Sequence, residues 1–165
     1  MQELTHYING EHVKGTSGRF ADVMNPATGE VQAKCPLASK AEMDKAVAVA
    51  AAAQPAWAAT NPQRRARVMM KFVGLLNDNM DKLAEALSRE HGKTLPDAAG
   101  DVQRGLEVVE YCIGAPELLK GDYTDSAGPG IDMYSMRQPL GVTAGITPFN
   151  FPAMIPLWMF PLAIA

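Results

Sequence analysis

From Phe149 to Ala165 nearly every residue is apolar, so any fold this chain adopts has to cover that run on more than one side. The run approaches the length of a membrane span, but Pro152, Pro156 and Pro161 interrupt it. A helix buried on both sides is therefore expected, not a membrane crossing. The run closes on Ile164 and Ala165 with no capping glycine, no basic last turn and no polar exit. Natural domains rarely end this way, so the expectation is a portion of a longer protein.

Upstream of this run, Val142 to Thr147 is short and apolar with a glycine inside, as in a buried strand of a parallel sheet. Thr147-Pro148-Phe149-Asn150 then reads as a turn, with a helix from Phe151 onward. A strand leading through a tight turn into a helix offers free backbone amides and a helix dipole, both of which favour negative charge. There is no GxGxxG here, and such units are common.

The earlier chain reads as short strands followed by three helices. Tyr7 to Asn9 and His12 to Lys14 flank Gly10 as a hairpin, and Ala21 to Met24 and Val31 to Cys35 flank the turn Asn25-Pro26-Ala27-Thr28-Gly29. Ser39-Lys40-Ala41-Glu42 is a capping box that starts a helix running to about Ala53. Asn61 and Pro62 start a second helix whose Ala66, Met69, Phe72, Val73, Leu76, Met80, Leu83 and Leu87 share one face; Gly92 ends it. A third helix begins near Leu95-Pro96 and runs to about Gly114. Asp122 to Gly130 is polar and Gly-containing, Ile131 to Arg137 alternates like a strand, and together they suit a projecting strand pair. The expected divisions are 1–121, 122–140 and 141–165.

With 15 basic and 18 acidic residues, the net charge of -3 exerts no strong pull on nucleic acid or an anionic membrane. A small-molecule or protein partner is expected instead. Cys35 and Cys112 lie far apart with no metal-ligand spacing, so neither zinc nor a disulfide is expected, and the compartment reads as reducing. Cys112 shares helical spacing with Val102, Leu106 and Val109 and reads as core. His6, His12 and His91 are isolated, and MQELTHYING does not read as a secretory signal.

One residue invites a chemical reading. The Asn150 amide could stabilise an oxyanion, as acyl chemistry requires, although spacing alone favours a helix N-cap before Pro152. Arg104 reads from its neighbours as a surface partner of Asp101 or Glu107.

The string Gly145-Ile146-Thr147-Pro148-Phe149-Asn150-Phe151-Pro152 resembles a signature of the aldehyde dehydrogenases. Tyr7-Ile8-Asn9-Gly10, Asn25-Pro26-Ala27-Thr28-Gly29, Arg64-Arg65-Ala66-Arg67 and Glu90-His91-Gly92-Lys93 also resemble family strings in family order. Phe149, where most of the superfamily has tryptophan, and Trp158-Met159-Phe160-Pro161 resemble the coenzyme A-acylating, methylmalonate-semialdehyde branch. The resemblance implies an α/β fold: the amino-terminal part of an incomplete Rossmann-like cofactor domain, with oligomerisation strands at 122–140.

It further implies Asn150 as the oxyanion-holding asparagine, Thr147 and Phe149 beside the nicotinamide end of NAD, and Arg104 on the substrate carboxylate. Coenzyme A would be the acyl acceptor, giving propionyl- or acetyl-coenzyme A. The implied assembly is a homo-oligomer in the cytoplasm, or in the mitochondrial matrix of a eukaryote. The family's nucleophilic cysteine comes later than residue 165, so this chain alone is expected to be inactive, with exposed hydrophobic surface. Two other readings stand beside this one: a non-acylating NAD(P)-dependent aldehyde dehydrogenase, and a short assembly module without activity.

Overall fold

The computed structural model describes residues 2–165. Its first part holds β1 (Gln2–Glu3), β2 (His6–Ile8), β3 (Glu11–Val13), β4 (Phe20–Met24) and β5 (Val31–Pro36). β2 and β3 form the expected antiparallel hairpin. Its turn residues Asn9 and Gly10 both have positive φ, 57° and 78°, which lets the turn follow the twist of the strands. β4 pairs antiparallel with β5, and β1 joins β5 in parallel to complete a three-stranded sheet of order β1-β5-β4. The β4–β5 turn is held locally, by Asn25 Oδ1 accepting from the Ala27 amide at 2.9 Å.

Helix α1 (Lys40–Ala59) starts at the capping box, with Glu42 Oε2 accepting from the Ser39 amide at 2.7 Å and Ser39 Oγ accepting from the Glu42 amide at 3.3 Å. It runs on past the expected end near Ala53, through Pro55. The alanine-rich sequence there has high helix propensity, which offsets the one backbone donor that proline removes. Asn61 caps α2 (Pro62–Asp78) by accepting from the Arg64 amide at 2.9 Å.

The long second helix expected from periodicity is two helices. Asn79, at φ −121° and ψ 16°, separates α2 from α3 (Met80–His91). Asn77 and Asn79 donate their side-chain amides to the carbonyls of Val73 and Leu75, offering the backbone local partners that compete with the helix ladder. Met69, Leu76 and Leu87 are buried as expected, while Leu83 is exposed and Ala84 beside it is buried. Gly92 closes α3 at φ 85°, in the left-handed region.

Thr94 caps α4 (Leu95–Cys112), and a short α5 (Ala115–Leu118) follows. Ala98, Val102, Leu106, Val109 and Cys112 line one face of α4 and are sealed from solvent, so Cys112 is a core residue as its spacing implies. They pack against Met69 and Leu76 of α2 and Ala84 and Leu87 of α3. β6 (Tyr123–Gly128) and β7 (Ile131–Tyr134) then form an antiparallel pair that is exposed along almost its whole length. The strand expected to reach Arg137 stops at Tyr134.

Two expectations for the last segment are corrected. Val142 to Thr147 is not a strand: residues 141–149 have no regular structure and are exposed. A strand is defined by its ladder, and no described strand lies alongside to supply partners. The final helix, α6 (Met154–Ile164), begins after a turn through Phe151 and Pro152, not at Phe151. It packs on α4 through Met154, Leu157 and Pro161 and leaves Trp158, Phe160, Leu162 and Ile164 exposed. No described helix is long and apolar enough to cross a membrane.

Candidate functional site

The joint between α4 and α6 organises the candidate residues. Asp101 lies on the buried face of α4 and is almost wholly shielded from solvent. Its Oδ1 accepts from the Met154 amide, the first of α6, at 2.7 Å, and its Oδ2 accepts from Lys93 Nζ at 2.8 Å. The ammonium group of Lys93 also stands 4.1 Å from the centroid of the Phe151 ring, a cation–π contact. A carboxylate from one helix thus satisfies a free amide of another and sits at the positive end of its dipole.

This arrangement decides how Asn150 is used locally. The N-cap position of α6 is Ala153, which makes no side-chain capping bond. Asn150 lies in the preceding turn, exposed, and its side chain makes no hydrogen bond among the described residues. The capping alternative drops out, because Asp101 does that work from a distance.

Arg104 follows Asp101 by about one helical turn. Its side chain is exposed and pairs with neither Asp101 nor Glu107: Asp101 is committed to Lys93, and Glu107 accepts from Gln103. Its main-chain carbonyl accepts from Trp158 Nε1 of α6 at 3.2 Å. Both Arg104 and Asn150 are therefore unpaired among the described residues, and both adjoin the same helix–helix joint.

Between residues 143–147 and α6 lies a groove of about 460 Å³ lined by Thr143, Gly145, Thr147, Pro156, Met159 and Phe160 among others. Thr147 contributes to this lining; Phe149 lies outside it and is exposed. The walls are mostly apolar and carry no charged side chain. Such a lining suits an uncharged, largely apolar group better than a phosphate.

Neither cysteine lines the groove. Cys112 is buried, and burial pushes its thiol above the usual range, which disfavours the thiolate. Cys35 is half-buried in β5. No cluster of three or more His, Cys, Asp or Glu suited to a metal occurs among the described residues.

The sequence profile of the aldehyde dehydrogenase family matches residues 12–165. The chain belongs to the aldehyde dehydrogenase family. Among its relatives, a malonate-semialdehyde dehydrogenase of Pseudomonas aeruginosa is 56% identical over 165 residues, all of this chain and 33% of that protein. A mitochondrial acylating methylmalonate-semialdehyde dehydrogenase of Arabidopsis thaliana is 53% identical over 98% of this chain and 26% of its own length. Among solved structures, a protein of Sinorhizobium meliloti 1021, provisionally described as methylmalonate-semialdehyde dehydrogenase and complexed with NAD, superposes with a TM-score of 0.97 at 67% identity. That match covers 99% of this chain and 33% of the other. The chain thus spans about a third of the length of the relatives it matches.

In this family member, Lys93 and Asp101 escaped the reading of the sequence as site residues. The signal was present in part: Asp101 falls between Ala98 and Val102 on the apolar face of α4, where an unpaired carboxylate would be costly. What the sequence could not name was its partner, the Met154 amide, 53 residues away.

Proposed function

We propose that this chain is the amino-terminal part of an NAD-dependent, coenzyme A-acylating methylmalonate- or malonate-semialdehyde dehydrogenase. The observation that carries this reading is the pairing of two uncommitted polar groups at one joint: the Arg104 guanidinium on α4 and the Asn150 amide before α6. A semialdehyde acid carries a carboxylate and a carbonyl, and these two groups match them. Arg104 binds the carboxylate through paired N–H donors. Asn150 donates to the carbonyl oxygen as it gains negative charge during attack by a nucleophile.

Thr147 and Phe149 would hold the nicotinamide end of NAD, for which the apolar groove beside Thr147 is suited. NAD, when bound, supplies the hydride acceptor. Residues 141–165 contain no Lys or Arg, so the charge of the cofactor's phosphates would be met elsewhere in the protein. The attacking thiolate would also come from outside this chain, since Cys112 is buried in the core. The 165-residue chain alone is therefore inactive in this reading. Residues 122–140 serve oligomerisation, since the exposed β6–β7 pair offers strand edges to a second copy.

The test is an assay of the longer protein that carries this chain, with malonate and methylmalonate semialdehydes, NAD, and coenzyme A present or withheld. Acetyl- or propionyl-coenzyme A as the product supports the reading. A free acid formed at the same rate in both conditions assigns the protein to the non-acylating aldehyde dehydrogenases instead.

A further inference from the structure

We propose that the α4–α6 joint acts as a ruler: it fixes the separation of the backbone positions bearing Arg104 and Asn150, and so selects the length of carbon chain between carboxylate and aldehyde. This rests on the reading of Arg104 and Asn150 given above. Lys93, Asp101, Gly105 and Trp158 then become positioning residues for substrate length, a role separate from binding the substrate.

Four contacts converge on this joint. Asp101 holds the Met154 amide at 2.7 Å, just beyond the turn that carries Asn150. Lys93 ties the same carboxylate to the Phe151 ring, which directly follows Asn150. Trp158 Nε1 donates to the carbonyl of Arg104 itself at 3.2 Å. Gly105, adjacent to Arg104, lets α6 close onto α4: a Cβ there would stand 2.5 Å from Leu157 Cδ1 and 3.2 Å from the Met154 Cα.

Apolar packing alone lets two helices slide by fractions of an ångström at little cost, because dispersion is non-directional. A buried, directional hydrogen bond does not, since a small slip leaves a polar group unpaired in a dry setting. This joint places one such buried bond, from the Met154 amide to Asp101, between the supports of Arg104 and Asn150, and the Trp158 bond to the Arg104 carbonyl adds a second directional tie at its solvent edge. Separating α4 from α6 would move the oxyanion donor away from the carboxylate site and favour a longer substrate.

The experiment compares kcat/KM of the longer, active protein for malonate semialdehyde, for the one-carbon-longer succinate semialdehyde, and for propanal. Gly105→Ala is expected to lower the malonate-to-succinate ratio by on the order of tenfold, as expected for a displacement below 1 Å, with a smaller change for propanal. Asp101→Asn keeps side-chain size, and Trp158→Phe keeps an aromatic ring while removing the indole donor; both are expected to shift the ratio in the same direction by less, and they carry the test if Gly105→Ala does not fold. Equal losses on all three substrates in these variants would show a merely structural joint and overturn the ruler. Arg104→Leu separates the two layers. If it costs no more on the semialdehyde acids than on propanal, the carboxylate reading fails and takes the ruler with it. If its loss is selective while the joint variants lose uniformly, the ruler alone fails.

Discussion

Lys93 Nζ meets Asp101 Oδ2 at 2.8 Å, the one lysine–carboxylate pair among the described residues whose carboxylate is closed to solvent. Other lysine pairs, such as Lys40 with Asp44, lie on the surface, where water and salt weaken them. The Lys93–Asp101 pair sits where α3 gives way to α4, and it reaches α6 through the Met154 amide.

Removing the carboxylate leaves both an ammonium group and an amide without a partner. Asp101→Ala is therefore expected to lower stability to urea by about 3 kcal/mol, the low end for breaking a buried pair because Lys93 keeps some contact with water. The double variant Lys93→Met/Asp101→Leu should regain much of this but not all, since the Met154 amide stays unsatisfied. A loss under about 1 kcal/mol for Asp101→Ala would mean that the pair behaves as an exposed one.

Acid should weaken the junction between the amino-terminal strands and α1. Glu42 is held at a pKa of about 2, below its ordinary 4.5, by the Ser39 amide first, then by the Thr16 amide and the Ser39 hydroxyl. A folded-state pKa below the unfolded one gives stability that is fully present above about pH 4.5 and fades as pH falls toward 2. Urea midpoints across that window should fall for the native chain. Glu42→Gln should be less stable at neutral pH and should lack this part of the acid response. An unchanged acid profile in the variant would mean that another carboxylate governs it.

The segment after the hairpin should make the 165-residue chain adhesive. Leu140, Ile146 and Phe149 are 94%, 96% and 88% exposed, and the outward side of α6 is apolar as well. An isolated chain is expected to bind an apolar-surface dye and to associate with rising concentration. A monodisperse monomer that leaves the dye dark would contradict this.

Features of the fold that depend on neighbours in sequence were legible in advance. Ser39 with Glu42, Asn61 with Pro62, and Gly92 each act within a single turn of chain, so residue identity almost suffices to assign them. The break at Asn79 was hidden because apolar periodicity runs straight through it. Only the side-chain amides of Asn77 and Asn79 hinted at a competing backbone arrangement. Val142 to Thr147 has the composition of a buried strand, yet a strand exists only with a partner, and composition carries no information about whether one is present. At the site, Asn150 was nameable from its chemistry, and Arg104 only from family resemblance. The Asp101–Met154 bond that joins their supports spans 53 residues and could only be seen once the chain was folded.

Asn150 offers the sharpest separation of chemistry from stability. A capping asparagine would cost about 1 kcal/mol on conversion to alanine, because a helix amide loses its acceptor. Here the α6 amide at Met154 is already served by Asp101, while Asn150 is exposed with no side-chain partner. Asn150→Ala should therefore leave the thermal midpoint of the 165-residue chain unchanged within roughly a degree, a shift far below that of a lost cap. In the longer, active protein the same change should lower kcat by on the order of 100-fold or more, as for loss of one oxyanion donor, with NAD affinity largely kept. Because the two readouts come from the same substitution, a fall in midpoint with kcat preserved would reassign Asn150 to a structural role and leave the oxyanion without a donor from this chain.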